Sequence, residues 1–173
     1  EQLLKNKYAY KAHGNVFFDI NRFSQFGELS KLTEKEMLIL AKEFDEDPDN
    51  PLKKNKLDFT LWRALEPNQP KHIPSFDSPF GKGRPGWHIE CSAMAISSLG
   101  EQIDIHGGGE DLIYPHHEAE IAQSEGATGK IPFAKYWIHT GEISYKNAKM
   151  SKSLGNLILV SDLLKTYSPN AIR

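Results

Sequence analysis

The sequence predicts an α/β fold for the part of the chain that follows Gly86. Residues 89–99 have the texture of an apolar helix, and residues 103–106 form a short β-rich run directly after it. A second helix, beginning at Pro115, and a second strand over residues 136–140 repeat this order. Alternation of helices and strands is typical of a parallel sheet covered by helices.

The N-terminal residues predict a smaller α+β unit that begins with a β-hairpin. Residues 8–10 and 16–20 are rich in aromatic and β-branched side chains, and the turn between them contains Gly14 and Asn15. Two such runs around a Gly/Asn turn favour an antiparallel hairpin.

A helix and a charged loop follow the hairpin. Thr33 and Glu36 have the spacing of a capping box, and the apolar residues after them predict a helix to about Phe44. Residues 45–51 contain two prolines and four acids, which predicts a solvated, mobile loop. Three lysines come next, and we interpret them as a solvated charge run rather than a phosphate contact: Lys53, Lys54 and Lys56. We expect a domain boundary near residue 57, where this charged segment ends.

Length and composition restrict the class of protein. The chain has 173 residues, 25% of them charged, and a formal net charge of -2, so overall charge gives no argument for nucleic-acid binding. A single cysteine excludes an internal disulfide framework and favours a reducing, cytoplasmic compartment. The sequence has no apolar run long enough to cross a membrane and no signal-peptide core at its start.

The remaining segments read as loops and short helices. Residues 66–86 hold five prolines and three glycines, which predicts irregular backbone. We expect the helix that begins at Pro115 to stop at Gly126, and residues 161–167 to form a short helix. Residues 168–173 resemble the first turn of another helix, so we expect the polypeptide to be truncated there.

One cluster of metal-ligand residue types lies in the α/β part. His116 and Glu120 are four residues apart on a predicted helix and therefore share one face. Together with Cys91 they would supply the imidazole, carboxylate and thiolate ligands that zinc prefers. The alternative is a partly buried cysteine and a solvated, histidine-rich helix start.

Two further stretches suggest a nucleotide. Three glycines directly after a strand, Gly107 to Gly109, allow close approach of a ligand to the backbone, although three glycines alone are a weak signal. Lys149 and Lys152 flank a serine in the stretch KMSKS, where lysines on a small-residue loop could follow the charge of a polyphosphate. The alternative for the second stretch is an exposed basic turn.

Several motifs in order resemble cysteinyl-tRNA synthetase, a class I aminoacyl-tRNA synthetase. They are GRPGWHIECSAM (83–94), HGGGEDLIYPHHEAEIAQSE (106–125) and KMSKSLGN (149–156). The resemblance extends to residues 58–64 and 15–30 and thus covers nearly the whole chain. It implies that residues 1–57 are the connective-peptide insertion, and that residues 58–173 are the C-terminal half of a Rossmann-type catalytic domain that includes the KMSKS loop.

The resemblance is incomplete in two respects. That family carries a His-x-Gly-His-type ATP motif and another zinc-binding cysteine in its first half-domain, and neither is present here. The helical and anticodon-binding regions of the family are also absent. We therefore interpret the chain as an internal piece of the enzyme that is inactive alone and contacts tRNA mainly through other regions.

The resemblance implies one zinc ion per complete subunit, which binds the thiol of the substrate cysteine. Cys91, His116 and Glu120 match three of its protein ligands. Since serine differs from cysteine by one atom, shape discriminates poorly between them, whereas a borderline-soft metal prefers the thiolate. Trp87 matches a wall of the amino-acid pocket, and core packing is the alternative for this residue.

The resemblance also assigns residues to ATP, which is bound with Mg²⁺. His106 and the glycines Gly107, Gly108 and Gly109 match the loop under the adenosine, and Asp111 matches the acid that binds the ribose. The alternative for Asp111 is a helix N-cap. Lys149 and Lys152 match the loop that neutralises the phosphates, and His117 is expected either to support a ligand or to be exposed.

The implied activity is that of a cysteine–tRNA ligase, which activates cysteine with ATP and transfers it to tRNA(Cys). Two alternatives stay open: the cysteine:glucosaminyl-inositol ligase of mycothiol synthesis, which has a similar fold, and a non-catalytic zinc-binding module.

Overall fold

In the computed structural model the described residues are 1–44, 46–142, 144–145, 147–150 and 152–172. They divide into two compact units, Glu1–His139 and Thr140–Arg173. The boundary that we expect near residue 57 stays a prediction. Among the described residues, no helix combines the length and apolar character that a bilayer crossing requires.

The first unit contains an antiparallel sheet of four strands in the order β1-β2-β3-β4. Its strands are β1 (Ala9–Ala12), β2 (Asn15–Phe18), β3 (Phe59–Ala64) and β4 (Gly83–Pro85). Strands β1 and β2 form the predicted hairpin, with Ala12 paired to Asn15 next to the turn. Strands β3 and β4 lie on the other side of β2, so the same sheet joins residues from both sides of position 57.

Helices surround this sheet. They are α1 (Gln2–Lys5), α2 (Glu34–Glu43), α3 (Trp87–Leu99) and α4 (Glu118–Thr128). Helix α2 begins with the predicted capping box, in which the Thr33 hydroxyl accepts a hydrogen bond from the Glu36 backbone N–H and the Glu36 carboxylate accepts one from the Thr33 N–H. The core lies between the sheet and α4, where Phe18 stacks on Phe59 at 4.8 Å and the fully buried Ala122 packs against the same cluster.

Strand β4 leads directly into α3 through Gly86, which is the N-terminal cap of that helix. The Gly86 backbone N–H donates to the Leu61 carbonyl at 2.9 Å. A Cβ atom at this position would overlap the Thr60 carbonyl oxygen. The start of α3 is therefore held directly against the backbone of β3. The helix predicted over residues 89–99 ends at Leu99, with Gly100 as its C-terminal cap.

Two parallel strands complete the α/β part: β5 (Ile103–Gly109) and β6 (Ala134–Thr140). They run in the same direction, because Ile103 donates its N–H to Phe133 at one end while Gly107 lies against Ile138 at the other. This parallel pair agrees with the predicted α/β class.

The helix expected between Pro115 and Gly126 has different ends. A π-helical turn, Ile113–His117, precedes it, with Tyr114 in an extended conformation (φ -131°, ψ 134°), and α4 begins at Glu118. Gly126 lies inside the helix rather than at its end. A glycine fits here because the helix packs closely against Leu3 and Tyr8, and a Cβ would lie 3.1–3.2 Å from their side chains. The helix ends at Thr128, with Gly129 in the left-handed conformation.

The second unit is small. It contains the two-stranded hairpin β7 (Ser144–Tyr145) and β8 (Ala148–Lys149) and the short helices α5 (Val160–Leu163) and α6 (Pro169–Ile172). Helix α5 is shorter than the predicted helix over residues 161–167, whose remainder is a hydrogen-bonded turn.

Candidate metal centre

The structure brings together the three side chains that the sequence groups as metal ligands. Cys91 is on α3, His116 is in the turn before α4, and Glu120 is in the first turn of α4. One ligand atom of each lies within 4.8 Å of the other two. Helix α3 contacts both α4 and the preceding turn, so the helix pair positions the cluster.

The polar atoms of this cluster are suited to a cation. His116 Nε2 lies 3.2 Å from Glu120 Oε1, yet this buried carboxylate oxygen accepts no hydrogen bond from the described residues. Burying a carboxylate oxygen without a partner is costly, and a cation placed between the oxygen, the imidazole nitrogen and a thiolate would remove that cost. The donor set of one sulfur, one nitrogen and one oxygen fits zinc.

The Cys91 thiol depends on such a cation for its charge. Burial raises the pKa of the Cys91 thiol, and the nearby carboxylates of Glu120 and Glu90 raise the pKa further. These groups alone therefore keep the sulfur protonated, whereas a bound metal ion deprotonates a coordinating thiol.

The second carboxylate oxygen of Glu120 has a hydrogen-bond partner. Its Oε2 lies 3.0 Å from His106 Nε2, in hydrogen-bond geometry. Burial raises the pKa of Glu120, but the imidazoles of His106 and His116 outweigh burial and lower the pKa to about 2. Glu120 is therefore a carboxylate throughout the physiological pH range, as a metal ligand must be.

His88 is a site residue that the sequence reasoning missed. It is fully buried, and its Nδ1 lies 3.0 Å from Nδ1 of His116. Burial and the neighbouring His116 lower the pKa of His88 to about 3, although Glu120 acts in the opposite direction, so this imidazole is neutral. The signal was its position three residues before Cys91, which puts both on one face of α3.

His117 belongs to a second group of rings on the other side of Glu120. It is buried, so the expectation of an exposed side chain is wrong, and its Nδ1 lies 2.7 Å from His139 Nε2. Burial lowers the pKa of His117 to about 4. His106, His117 and Glu120 also have ligand atoms within 4.8 Å of one another.

Sequence reasoning missed His139 and Trp137, which complete this second group. They point to the same side of β6, and their rings are nearly parallel at 6.0 Å. Trp137 also lies 4.7 Å from the His106 ring and 5.1 Å from the His117 ring. Residues 137 and 139 are two positions apart on a predicted strand, so the sequence already indicated that their side chains share one face.

Trp87 forms one wall of the candidate metal centre. Its ring stacks on His116 at 4.5 Å and lies 6.1 Å from the Phe44 ring, yet 47% of the residue is exposed. This exposure argues against the core-packing alternative. Beside Trp87 is a cavity of about 240 Å³, whose lining also includes Glu46, Arg63 and Arg84. A larger, apolar cavity of about 560 Å³ contains none of the predicted site residues.

The residues predicted to bind ATP occupy the end of β5 and the turn after it. Gly107 lies against Ile138, and a Cβ on Gly108 would lie 2.9 Å from Leu112 and 3.0 Å from His117. Asp111 is exposed within a short 3₁₀ turn whose N-cap is Gly109, so it is not the helix N-cap of the alternative reading. The glycines thus permit close packing, and their ATP role stays a prediction.

The lysines of KMSKS are in the second unit. Lys149 is part of β8, and its side chain lies outside the described part of the structure, as does Ser151. Lys152 is exposed in the turn that follows. Their role toward phosphates stays a prediction.

A parallel pair of strands beside a Cys/His/Glu cluster is compatible with a class I tRNA synthetase, and comparison with known proteins agrees. The chain belongs to the family described as tRNA synthetases class I (C) catalytic domain, whose profile matches residues 1–173.

The relatives are more specific than the class. Over all 173 residues the chain is 49% identical to the cysteine–tRNA ligase of Syntrophotalea carbinolica. It is 51% identical to that of Pelotomaculum thermopropionicum and 52% identical to that of Anoxybacillus flavithermus, with 100% of the chain covered in both cases. The matched region is 34–35% of these proteins, so the chain spans about a third of the length of the relatives.

Proposed function

We propose that this chain is the central part of a cysteine–tRNA ligase, which activates cysteine with ATP and transfers it to tRNA(Cys). The carrying observation is the convergence of a thiol, an imidazole and a carboxylate whose Oε1 has no hydrogen-bond partner among the described residues. Family membership and the roughly half-identical relatives support it.

In this proposal Cys91, His116 and Glu120 hold a zinc ion. Zinc supplies a bond to a thiolate that the hydroxyl of serine does not match, so cysteine is selected by chemistry rather than by size. Trp87, stacked on His116 and half-exposed, bounds the space in which the substrate side chain would lie.

The ATP-binding part of the proposal rests on membership of the family. His106 and the three glycines would lie under the adenosine, and Asp111 would accept hydrogen bonds from the ribose. Lys149 and Lys152 would neutralise the phosphates of ATP, bound with Mg²⁺. The carboxylate of cysteine then attacks the α-phosphorus in line, pyrophosphate leaves, and the protein contributes position and charge.

We further propose that residues 1–57 are the connective insertion and residues 58–173 the second half of the Rossmann-type domain of a cytoplasmic enzyme. The chain alone would then not activate cysteine, because it has no His-x-Gly-His motif and only one cysteine for the metal. When catalytic residues act together, removing some of them lowers the activity far more than the loss of a single contact would. Contacts to tRNA(Cys) would come mainly from other regions.

The test uses the complete enzyme that contains these residues. Zinc content and cysteine-dependent ATP–pyrophosphate exchange are measured for the wild type, Cys91→Ser and, as a neighbouring control on the same helix, Glu90→Gln. We expect Cys91→Ser to bind zinc more weakly, by more than the roughly 10–100-fold typical of changes around a metal site. Its Co²⁺–thiolate charge-transfer absorption should be weaker than that of the wild type, because the complete enzyme supplies another cysteine ligand. Glu90→Gln should retain both.

The outcomes separate the alternatives. A wild-type enzyme that binds zinc without exchange would be a zinc-binding module. Exchange followed by ligation of cysteine to an amino-sugar rather than to tRNA would identify the mycothiol-type ligase. Wild-type zinc affinity in Cys91→Ser would contradict the proposed metal centre.

A further inference from the structure

A line of buried polar groups leads from the charged loop after α2 to the candidate metal ligand His116. His88 Nδ1 lies 3.0 Å from His116 Nδ1, and the opposite nitrogen of His88, Nε2, lies 4.0 Å from Glu46 Oε1. His88 Nε2 is buried and has no hydrogen-bond partner among the described residues. His88 Nε2 thus faces a carboxylate oxygen of Glu46, which lies 42 positions earlier in the chain.

Glu46 is itself held in place. Its Oε2 pairs with Lys53 Nζ at 3.2 Å, and the Lys53 side chain is only 2% exposed. The Thr60 backbone N–H donates to Glu46 Oε1 at 3.3 Å. Breaking a buried ion pair destabilises the folded protein strongly, because it leaves one charge without a partner. The pair with Lys53 and the hydrogen bond from Thr60 therefore hold the Glu46 carboxylate in position. The expectation that residues 45–51 and Lys53 are solvated is therefore wrong for Glu46 and Lys53.

We propose that Glu46, acting through His88, is a positioning residue that sets the tautomer of His116. This inference rests on the proposed function, since it presupposes that His116 is a metal ligand.

The positions of the ring N–H protons of His88 and His116 are linked through the contact between their Nδ1 atoms. Lys53 pairs with Glu46 Oε2, which leaves Oε1 as the oxygen that faces His88. This oxygen favours an N–H at His88 Nε2, so that His88 Nδ1 carries the lone pair. His88 Nδ1 then accepts a hydrogen bond from the N–H at His116 Nδ1. That leaves His116 Nε2 with its lone pair directed at Cys91 and Glu120, as a metal ligand requires.

The opposite arrangement disfavours metal binding. With the proton of His88 on Nδ1, its Nε2 lone pair would face the Glu46 carboxylate, and His88 would donate to His116 Nδ1. The His116 proton would then lie on Nε2, where the ion would have to bind. Glu120 favours that proton because its Oε1 is 3.2 Å from His116 Nε2, so the charge of Glu46 acts against it.

The test measures zinc affinity of the complete enzyme by competition with a chromophoric chelator. Glu46→Gln removes the charge and keeps the shape, and Glu43→Gln is the matched control, an exposed acid on the same segment. We expect Glu46→Gln to bind zinc about tenfold more weakly, at the lower end of the roughly 10–100-fold range for residues behind a ligand. Glu43→Gln should bind as the wild type does, and equal affinity of the two variants would overturn the inference.

Variants at His88 show whether Glu46 acts through it. In His88→Asn the amide oxygen can take the place of Nδ1 as acceptor, so we expect near wild-type zinc affinity, whereas His88→Phe should lose at least about tenfold. Adding Glu46→Gln to His88→Asn should cause no further loss. Equal affinities of the Asn and Phe variants, or a full further loss in the double variant, would refute the inference; if Glu46→Gln folds poorly, the His88 pair still decides.

Failure of this inference can be told from failure of the proposed function. A wild-type enzyme that binds no zinc contradicts the proposed metal centre. The position of the His88 proton is read independently by ¹⁵N-edited NMR of the histidine rings. A proton on Nε2 supports the inference, and a proton on Nδ1 overturns it whatever the zinc measurement gives.

Discussion

The Trp87 indole lies almost flat on the His116 imidazole, with ring centroids 4.5 Å apart and an angle of 29° between the planes. The Phe44 ring, which follows the last residue of α2, is stacked on the same indole at 6.1 Å. The wall of the candidate site is therefore built by residues from two distant parts of the chain, and it carries a surface that remains about half exposed.

We predict that Trp87→Ala raises KM for cysteine in the complete enzyme by about tenfold, because it removes one wall of the substrate space, and a single apolar pocket contact contributes about 1–3 kcal/mol. Trp87→Phe keeps a ring over His116 and should stay within about threefold of the wild type. Steady-state ATP–pyrophosphate exchange over a cysteine titration measures both. A change confined to KM for ATP would contradict a wall for the amino acid.

We predict that Lys152→Ala slows adenylate formation while leaving the affinity for cysteine almost unchanged. Negative charge builds on the departing pyrophosphate only as the bond breaks, so a lysine there stabilises the transition state more than bound ATP. Loss of one such contact costs about 2.7–4 kcal/mol, or about a hundred- to thousandfold in rate. Rapid-quench adenylate formation provides the rate.

Lys165→Ala is the matched control for Lys152, since this exposed lysine of the same unit pairs with Asp162 at 2.7 Å. Its removal should leave the rate unchanged. An unchanged rate in Lys152→Ala with a loss of cysteine affinity would show that the loop is structural.

Glu125 gives the chain a stability that depends on pH. This buried carboxyl group accepts a hydrogen bond from the Phe133 backbone N–H at 2.9 Å. Burial raises the pKa of Glu125, with a smaller contribution from Glu28, and outweighs that hydrogen bond. The folded state therefore holds the proton more tightly than the unfolded state, and stability falls as pH rises from the unfolded pKa, about 4.3, through the folded one.

Glu125→Gln should remove this loss, because its amide oxygen still accepts from Phe133 without a charge. We expect the variant to have a higher free energy of unfolding than the wild type at pH 7, and the difference to vanish below about pH 4. Urea unfolding of the two proteins across this range is the measurement. A difference of the opposite sign at pH 7 would refute the assignment.

We predict that Asp58 is a major contributor to stability around the hairpin. It is 1% exposed, and its carboxylate accepts from Tyr10 Oη at 2.7 Å and from the backbone N–H groups of Ile20 and Asn55, both at 3.0 Å. Hydrogen bonds to a charged group contribute about 1.5–3 kcal/mol each, so Asp58→Ala should lower the free energy of unfolding by at least about 3 kcal/mol.

The exposed Asp49 serves as the comparison. It pairs with Lys42 and Lys56 at 3.1 and 3.3 Å, and surface pairs of this kind contribute at most about 1 kcal/mol each. Thermal unfolding of Asp49→Ala and Asp58→Ala should differ clearly. Similar losses in both would show that the network around Asp58 is not what holds the hairpin.

Local sequence signals predicted the elements that depend on neighbouring residues. The turn at Gly14 and Asn15 and the capping box at Thr33 are satisfied by atoms a few positions away, so their residue types are sufficient. Helical spacing also predicted that His116 and Glu120 share one face, whereas the family resemblance supplied Cys91 as the third ligand of the group that the structure brings together.

Features set by distant contacts were not accessible in this way. Gly126 resembles a helix stop, yet it continues the helix because Leu3 and Tyr8 leave no room for a side chain. Glu46 and Lys53 belong to a strongly charged stretch and resemble solvent-exposed residues, yet they form an ion pair whose side chains are largely shielded from solvent. Charged residues are buried only when they have a partner, and the sequence of a charged stretch does not show which residues are paired and which are solvated.

The absence of a side chain at Gly86 has a genetic consequence. Any larger residue there would press on the Thr60 carbonyl, and because α3 starts at this position, the displacement would carry His88 and Cys91 with it. Substitutions at Gly86 should therefore be recovered in a loss-of-function screen together with those of the cluster itself. Suppressors of such alleles should arise on β3, where a small shift of the strand would restore the spacing that the glycine provides.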